Sequence, residues 1–183
     1  MNKKGFTIIE LIITSALLGI GFLAVISLSI NSFTSTMALS STLTANYLTQ
    51  EGFEVVRRIR DENFNTKFAE EIAAGEEGEG IYWLEGLMEE DETEVVGSVD
   101  YTSTELGSNH GNELLIDNDG LFNYSGGEES GFYRRITLEK DSYDFGDGYP
   151  DDAEYVLVTV RIRWNERGRE RDYIAKTKLF NWY

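Results

Sequence analysis

Cysteine is absent from these 183 residues, proline occurs once, at position 150, and histidine once, at position 110. Without a thiol there is no disulfide staple, no thiolate zinc site and no thiol nucleophile. A single histidine removes the multi-histidine zinc hydrolases. His110 itself lies in Gly107-Ser108-Asn109-His110-Gly111-Asn112, which reads as an exposed loop. No Gly-x-Ser-x-Gly elbow and no phosphate-cradling Gly-Lys-Ser/Thr loop is present, and carboxylate pairs are too plentiful to single any out. The chain therefore reads as something other than an enzyme. Bases are scarce too: 33 acidic residues stand against 16 basic ones, for a net charge of −17. Phosphate binding needs basic surface, so no direct nucleic-acid partner is expected.

The scarcity is uneven. From Phe6 to Ile30 there is a single charge, Glu10, whereas from Asp61 to Tyr133 there are 20 acids and one base, Lys67. Twenty-five helical residues reach about 37 Å, enough for a hydrocarbon core of about 30 Å, so membrane lipid is the expected surrounding of residues 6–30. Lys3 and Lys4 precede the segment and no base follows until Arg57. The positive-inside rule then predicts a single-pass protein of the cytoplasmic membrane, N-terminus inside and C-terminal region outside. A cleavable signal has a shorter apolar core, and Ser27-Leu28-Ser29 matches its cleavage site only faintly. An ordinary signal anchor fits everything except Glu10. A carboxylate at mid-membrane costs at least about 2.5–3.5 kcal/mol and calls for a partner. Residues 6 and 10 share a helix face, so a cut between Gly5 and Phe6 would place a new α-amino group on the face that carries Glu10.

The stretch Lys3-Lys4-Gly5-Phe6-Thr7-Ile8-Ile9-Glu10-Leu11 resembles the leader of type IV prepilins and of the pseudopilins of type II secretion. The resemblance implies cleavage by a prepilin peptidase between Gly5 and Phe6 and N-methylation of Phe6. It also implies pairing of Glu10 with the terminal amine of a neighbouring pilin or pseudopilin subunit, assembly on an inner-membrane platform, and a final place in an extracellular or periplasmic filament. Many members of that family kink this helix with a proline where Ser27 stands here. Gly19 and Gly21 would supply either a weak point, at about 1 kcal/mol each, or close packing against neighbouring membrane helices.

Beyond the membrane the helical pattern continues. Leu39, Leu43 and Tyr47 recur at four-residue steps, and Leu48, Gly52, Val55, Val56 and Ile59 form a second stripe. A helix from Phe6 to about Asn63 would measure about 87 Å. The predicted organisation is thus a leader at 1–5, an assembly helix at 6–30, its extension at 31–63, and an extracytoplasmic globular antiparallel β domain at 64–183. Gly75-Glu76-Glu77-Gly78-Glu79-Gly80 and Glu89-Glu90-Asp91-Glu92 read as acidic loops. Ile81–Leu84 and Val95-Val96 fit either helix or strand.

The C-terminal third is predicted to be β. Val156, Val158, Val160, Ile162 and Trp164 alternate with polar or outward residues, as in a half-buried strand. With Asn165-Glu166-Arg167-Gly168 as a four-residue loop, Trp164 would face Arg169, Ile162 Arg171 and Val160 Tyr173. Arg163 would meet Glu170, and Arg161 would meet Asp172, each pair contributing about 0.2–1 kcal/mol. Sheet-surface ion pairing accounts for most of this basic cluster, with a partner-binding patch as the alternative. Strands are also predicted at Glu113–Ile116 and Leu121–Tyr124, joined through Asp117-Asn118-Asp119-Gly120, and at Phe132–Glu139. The class is α+β, a long N-terminal helix on an antiparallel sheet, and this is the fold that the pilin resemblance implies. The C-terminal pattern is closer to a minor pilin or pseudopilin than to an abundant one. Asp141, Asp144, Asp147, Asp151 and Asp152 crowd a glycine-rich loop. Their hard oxygens suit calcium, without EF-hand spacing, and a solvated acidic loop is the plainer reading. No other cofactor is implied. The function read from the sequence is a filament subunit; its rival is a non-polymerising, membrane-anchored adhesin or binding module.

Overall fold

The computed structural model describes residues 7–74, 83–143 and 153–181. Helix α1 (Ile8–Ala74) is followed by strands β1 (Glu94–Gly97), β2 (Glu113–Ile116), β3 (Phe122–Asn123), β4 (Glu128–Tyr143), β5 (Ala153–Glu166) and β6 (Arg169–Phe180). The helix ends about three turns beyond Asn63, because no proline or glycine interrupts residues 53–74. The chain divides into two compact units, Met1–Thr42 and Leu43–Tyr183.

In the first unit α1 is a lone helix. It runs unbroken through Gly19 and Gly21, and a Cβ at either would meet nothing within 4 Å. Ser15 and Ser29 donate their hydroxyl protons to the carbonyls of Ile12 and Val25, both at 2.9 Å, and Thr14 donates to the carbonyl of Glu10. Bonds of this kind satisfy a hydroxyl from within an apolar helix.

In the second unit the remaining helix covers one face of an antiparallel sheet in the order β3-β2-β4-β5-β6, with β1 also paired to β4. β1 and β2 lie on the side of β4 away from β5. The second stripe, Leu48, Val55, Val56 and Ile59, is buried together with Ile136 and Leu138 of β4 and Val156, Val158, Val160 and Ile162 of β5. The expected alternation of β5 is therefore the observed one. Tyr155 departs from it: on the outer face it is nevertheless buried, with its hydroxyl donating to Asp141 at 2.7 Å. Gly52 sets the helix-to-sheet approach, since a Cβ there would lie 3.3 Å from Val160 Cγ1.

Strands β2 and β3 fall where the sequence placed them, joined by an Asx turn in which Asp117 Oδ1 accepts from the N–H groups of Asp119 and Leu121, both at 2.9 Å. Strand β4 extends beyond the expected Phe132–Glu139 at both ends. Val95-Val96 lies in a strand, and Trp83–Leu87 forms turns.

The β5–β6 register differs from the expected one by two residues. Glu166 pairs with Arg169, Trp164 with Arg171, Ile162 with Tyr173 and Val160 with Ala175. The loop is therefore the two residues Arg167 and Gly168, with φ of 54° and 76°. This is the left-handed pair of a type I′ turn, whose twist matches that of the strands better than a four-residue loop would. A shift of two leaves each side chain on its own face. The anticipated ion pairs survive as diagonals: Arg161 donates to Asp172 at 3.1 and 2.7 Å, and Arg163 to Glu170 at 3.4 Å.

Candidate assembly site

Thr7 stands immediately before α1, and its Oγ1 accepts the N–H of Glu10 at 3.4 Å while its carbonyl accepts from Glu10 and Leu11 at 3.1 and 3.2 Å. Thr-x-x-Glu at a helix start is the capping-box pattern, a local sequence signal for where α1 begins. Glu10 thus sits in the first turn, where the helix dipole favours an anion by about 0.3–1 kcal/mol. That offsets only part of the cost of holding a carboxylate in the hydrocarbon core, about 2.5–3.5 kcal/mol at its centre. Among the described residues no cation or hydrogen-bond donor meets its side-chain oxygens. What the site offers chemically is an open carboxylate on an otherwise apolar rod.

The rod itself is bare. Ile8 is 81% exposed, and Leu11, Leu17, Leu18, Phe22, Leu23 and Leu28 are exposed like it. By length and composition the helix can cross a membrane, and none of its most apolar window is buried within the protein. Leu39 is exposed in the first unit, and Leu43 and Tyr47 in the second. The first apolar stripe is therefore without cover, in contrast to the second.

Gly5 and Phe6 lie outside the described residues, as do Asp144, Asp147, Asp151 and Asp152, the acidic run at 75–80, and Ile81 and Tyr82. Asp141 is described and accepts from the Tyr155 hydroxyl. Among the described residues no three His, Cys, Asp or Glu groups converge as a metal site would require. His110 is half-buried rather than exposed, and its Nδ1 is shut off from water without a hydrogen-bond partner. It lines a small hollow with Tyr133, Arg134, Arg135, Arg161 and Arg163. The Tyr133 hydroxyl donates to Glu113 at 3.2 Å, and this bond, with the carboxylate's charge, holds the phenol above its ordinary pKa and hence neutral.

Two buried polar centres escaped the sequence. Arg134 is fully buried on β4, reaching Glu51 Oε1 with both terminal nitrogens at 3.0 Å and the Leu48 carbonyl at 3.1 Å. Asp100 is buried near the start of the loop after β1 and accepts from Thr102, Ser103 and Tyr124. An Arg at an inward position of a predicted strand was the available signal for the first; nothing local marks the second.

Residues 1–26 match the prokaryotic N-terminal methylation motif, the prepilin-type leader of type IV pilins and pseudopilins. The likeness to pilin-like and pseudopilin-like proteins lies in these 26 residues, and the helix that carries them is long and apolar enough to anchor in a membrane. No curated protein and no solved structure matches the chain.

Proposed function

We propose that the chain is a minor pilin or pseudopilin: a subunit cut after Gly5 by a prepilin peptidase, methylated on the new amine of Phe6, and polymerised through its N-terminal helix. In this reading Glu10 of one copy faces the Phe6 amine of the next, with the C-terminal unit outside the cytoplasmic membrane and an assembly platform within it. The observation that carries the reading is the open Glu10 carboxylate on a bare helix, directly behind a prepilin-type leader. The exposed first stripe supports it. Leu39 is nine residues past Ile30, about 13 Å along the helix, beyond the reach of a bilayer entered at Phe6. Lipid cannot cover it; another protein chain can.

The Glu10→Gln variant separates assembly from helix capping, because glutamine leaves the Thr7 cap on the backbone N–H of residue 10 in place, keeps the side chain's shape and discards the charge. The full-length variant is expected in the membrane at the wild-type level and at least about tenfold depleted from sheared filaments, as loss of one charge pair in a water-poor setting requires. The same filaments should contain chains lacking residues 1–5 and carrying one added methyl group by intact mass. Wild-type incorporation of Glu10→Gln would refute the pairing. Chains that keep residues 1–5 and never leave the membrane would establish the anchored adhesin instead.

A further inference from the structure

The outer face of the sheet concentrates the bases of an acidic protein. Arg135 on β4 stands directly opposite Arg161 on β5, and like charges so placed are unfavourable. Asp172 and Glu170 answer Arg161 and Arg163, but Arg135 has no ion pair among the described residues, and neither has Lys176 on β6. The hollow beside them is lined by His110, Tyr133, Arg134, Arg135, Arg161 and Arg163, with no carboxylate among them. The hollow is small, about 30 Å³. Glu113, which holds the Tyr133 hydroxyl, is committed elsewhere: its two oxygens accept from Gly131 and Tyr133.

The same unit carries the opposite charge on an exposed loop. Glu89-Glu90-Asp91-Glu92 precedes β1, on the side of β4 away from β5, and all four residues are exposed. The loop is held in place: Glu89 N–H donates to Glu92 Oε2 at 2.9 Å, and Lys140 Nζ donates to the Glu90 carbonyl at 3.1 Å. Glu89, Glu90 and Asp91 have no ion pair among the described residues. Copies of a chain whose net charge is −17 even with the two leader lysines counted repel one another unless their charges interlock. We propose that a carboxylate of the Glu89–Asp91 loop of one copy seats in the Arg135–Arg161–His110 hollow of the next, as a head-to-tail contact between two different surfaces. Such a contact is heterologous and propagates into a fibre rather than closing a dimer. It rests on the filament reading and names the surface that the outer units use within it.

The absence of cysteine makes the test direct. Thr137→Cys, one outward step along β4 from Arg135, and Glu89→Cys are introduced together into the full-length chain, leaving Arg135, Arg161 and Asp91 in place. Sheared filaments are then treated with a short bis-maleimide. The expected product is a ladder of dimers, trimers and higher species that needs both cysteines. Adding Arg135→Glu should cut the ladder at least about tenfold, and combining Arg135→Glu with Glu90→Lys and Asp91→Lys should restore it. Arg135→Glu puts an acid opposite Arg161, so its thermal midpoint should not fall, which separates a lost contact from a lost fold. Filaments that form without the ladder, or a ladder indifferent to Arg135→Glu, overturn the inference and leave the filament reading intact. Failure of the two-cysteine protein and of the wild type to form filaments at all overturns both.

Discussion

Asp100 illustrates how one side chain can hold a loop. Burial alone would raise its pKa, yet the bonds it accepts outweigh burial and hold it below the usual carboxylate value: from the Thr102 hydroxyl at 2.6 Å, the Tyr124 N–H at 3.0 Å, the Thr102 N–H at 2.9 Å and the Ser103 hydroxyl at 3.1 Å. A carboxyl whose folded pKa is depressed contributes stability that is fully present above its unfolded pKa, near 3.9, and is lost as pH falls through the folded value. Asp100→Asn should therefore lower stability by about 1–3 kcal/mol at pH 7. The gap to wild type should narrow below about pH 4. Urea titrations of both proteins at pH 7 and pH 3 check this, and a gap that stays constant between the two would show that the charge is not what holds the loop.

At the scale of elements, the question is what keeps the extended helix in one register on the sheet. Apolar stripes slide; a buried arginine does not. Arg134 reaches across from β4 to Glu51 and to the Leu48 carbonyl, beside the gap that Gly52 leaves. Removing the cation strands a carboxylate that is only part-exposed, so Arg134→Ala should cost about 3–5 kcal/mol, whereas Arg134→Met combined with Glu51→Gln should cost clearly less. Denaturant midpoints of the two variants test the claim. Equal losses would make the arginine a packing element and no more. The far side of the sheet is handled differently: β6 is an edge strand of twelve residues, and Arg169, Glu170, Arg171, Asp172, Lys176 and Lys178 blunt it against pairing with another edge.

For the whole molecule, the division into two units separates two kinds of stability. Among the described residues, every member of the buried core, from Ala45 to Leu179, belongs to the second unit, and the first contributes none. A chain beginning at Leu43 should therefore fold, stay soluble and sediment as a monomer, with circular dichroism showing both helix and sheet. An unfolded or aggregated fragment would mean that the second unit depends on residues 1–42. The first unit, by contrast, has no cover of its own, and its structure is a matter of lipid or of neighbours.

Much of this was legible in the order of residues. The leader, the apolar span, the lone Glu10 and the alternation from Val156 to Trp164 are local patterns, and hydrophobic period and charge spacing are written directly in a chain. So was the pairing of Arg161 with Asp172 and of Arg163 with Glu170, since either register keeps them on one face. Only the tertiary structure decided which two residues make the β5–β6 turn, because strand twist selects the loop. It alone buried Arg134 against Glu51, residues 83 positions apart. It likewise brought His110 to the arginines of β4 and β5, and left one apolar stripe covered and the other bare. Periodicity says which side of an element is apolar; what that side meets depends on contacts distant in the chain, and these exist only once the sheet has formed.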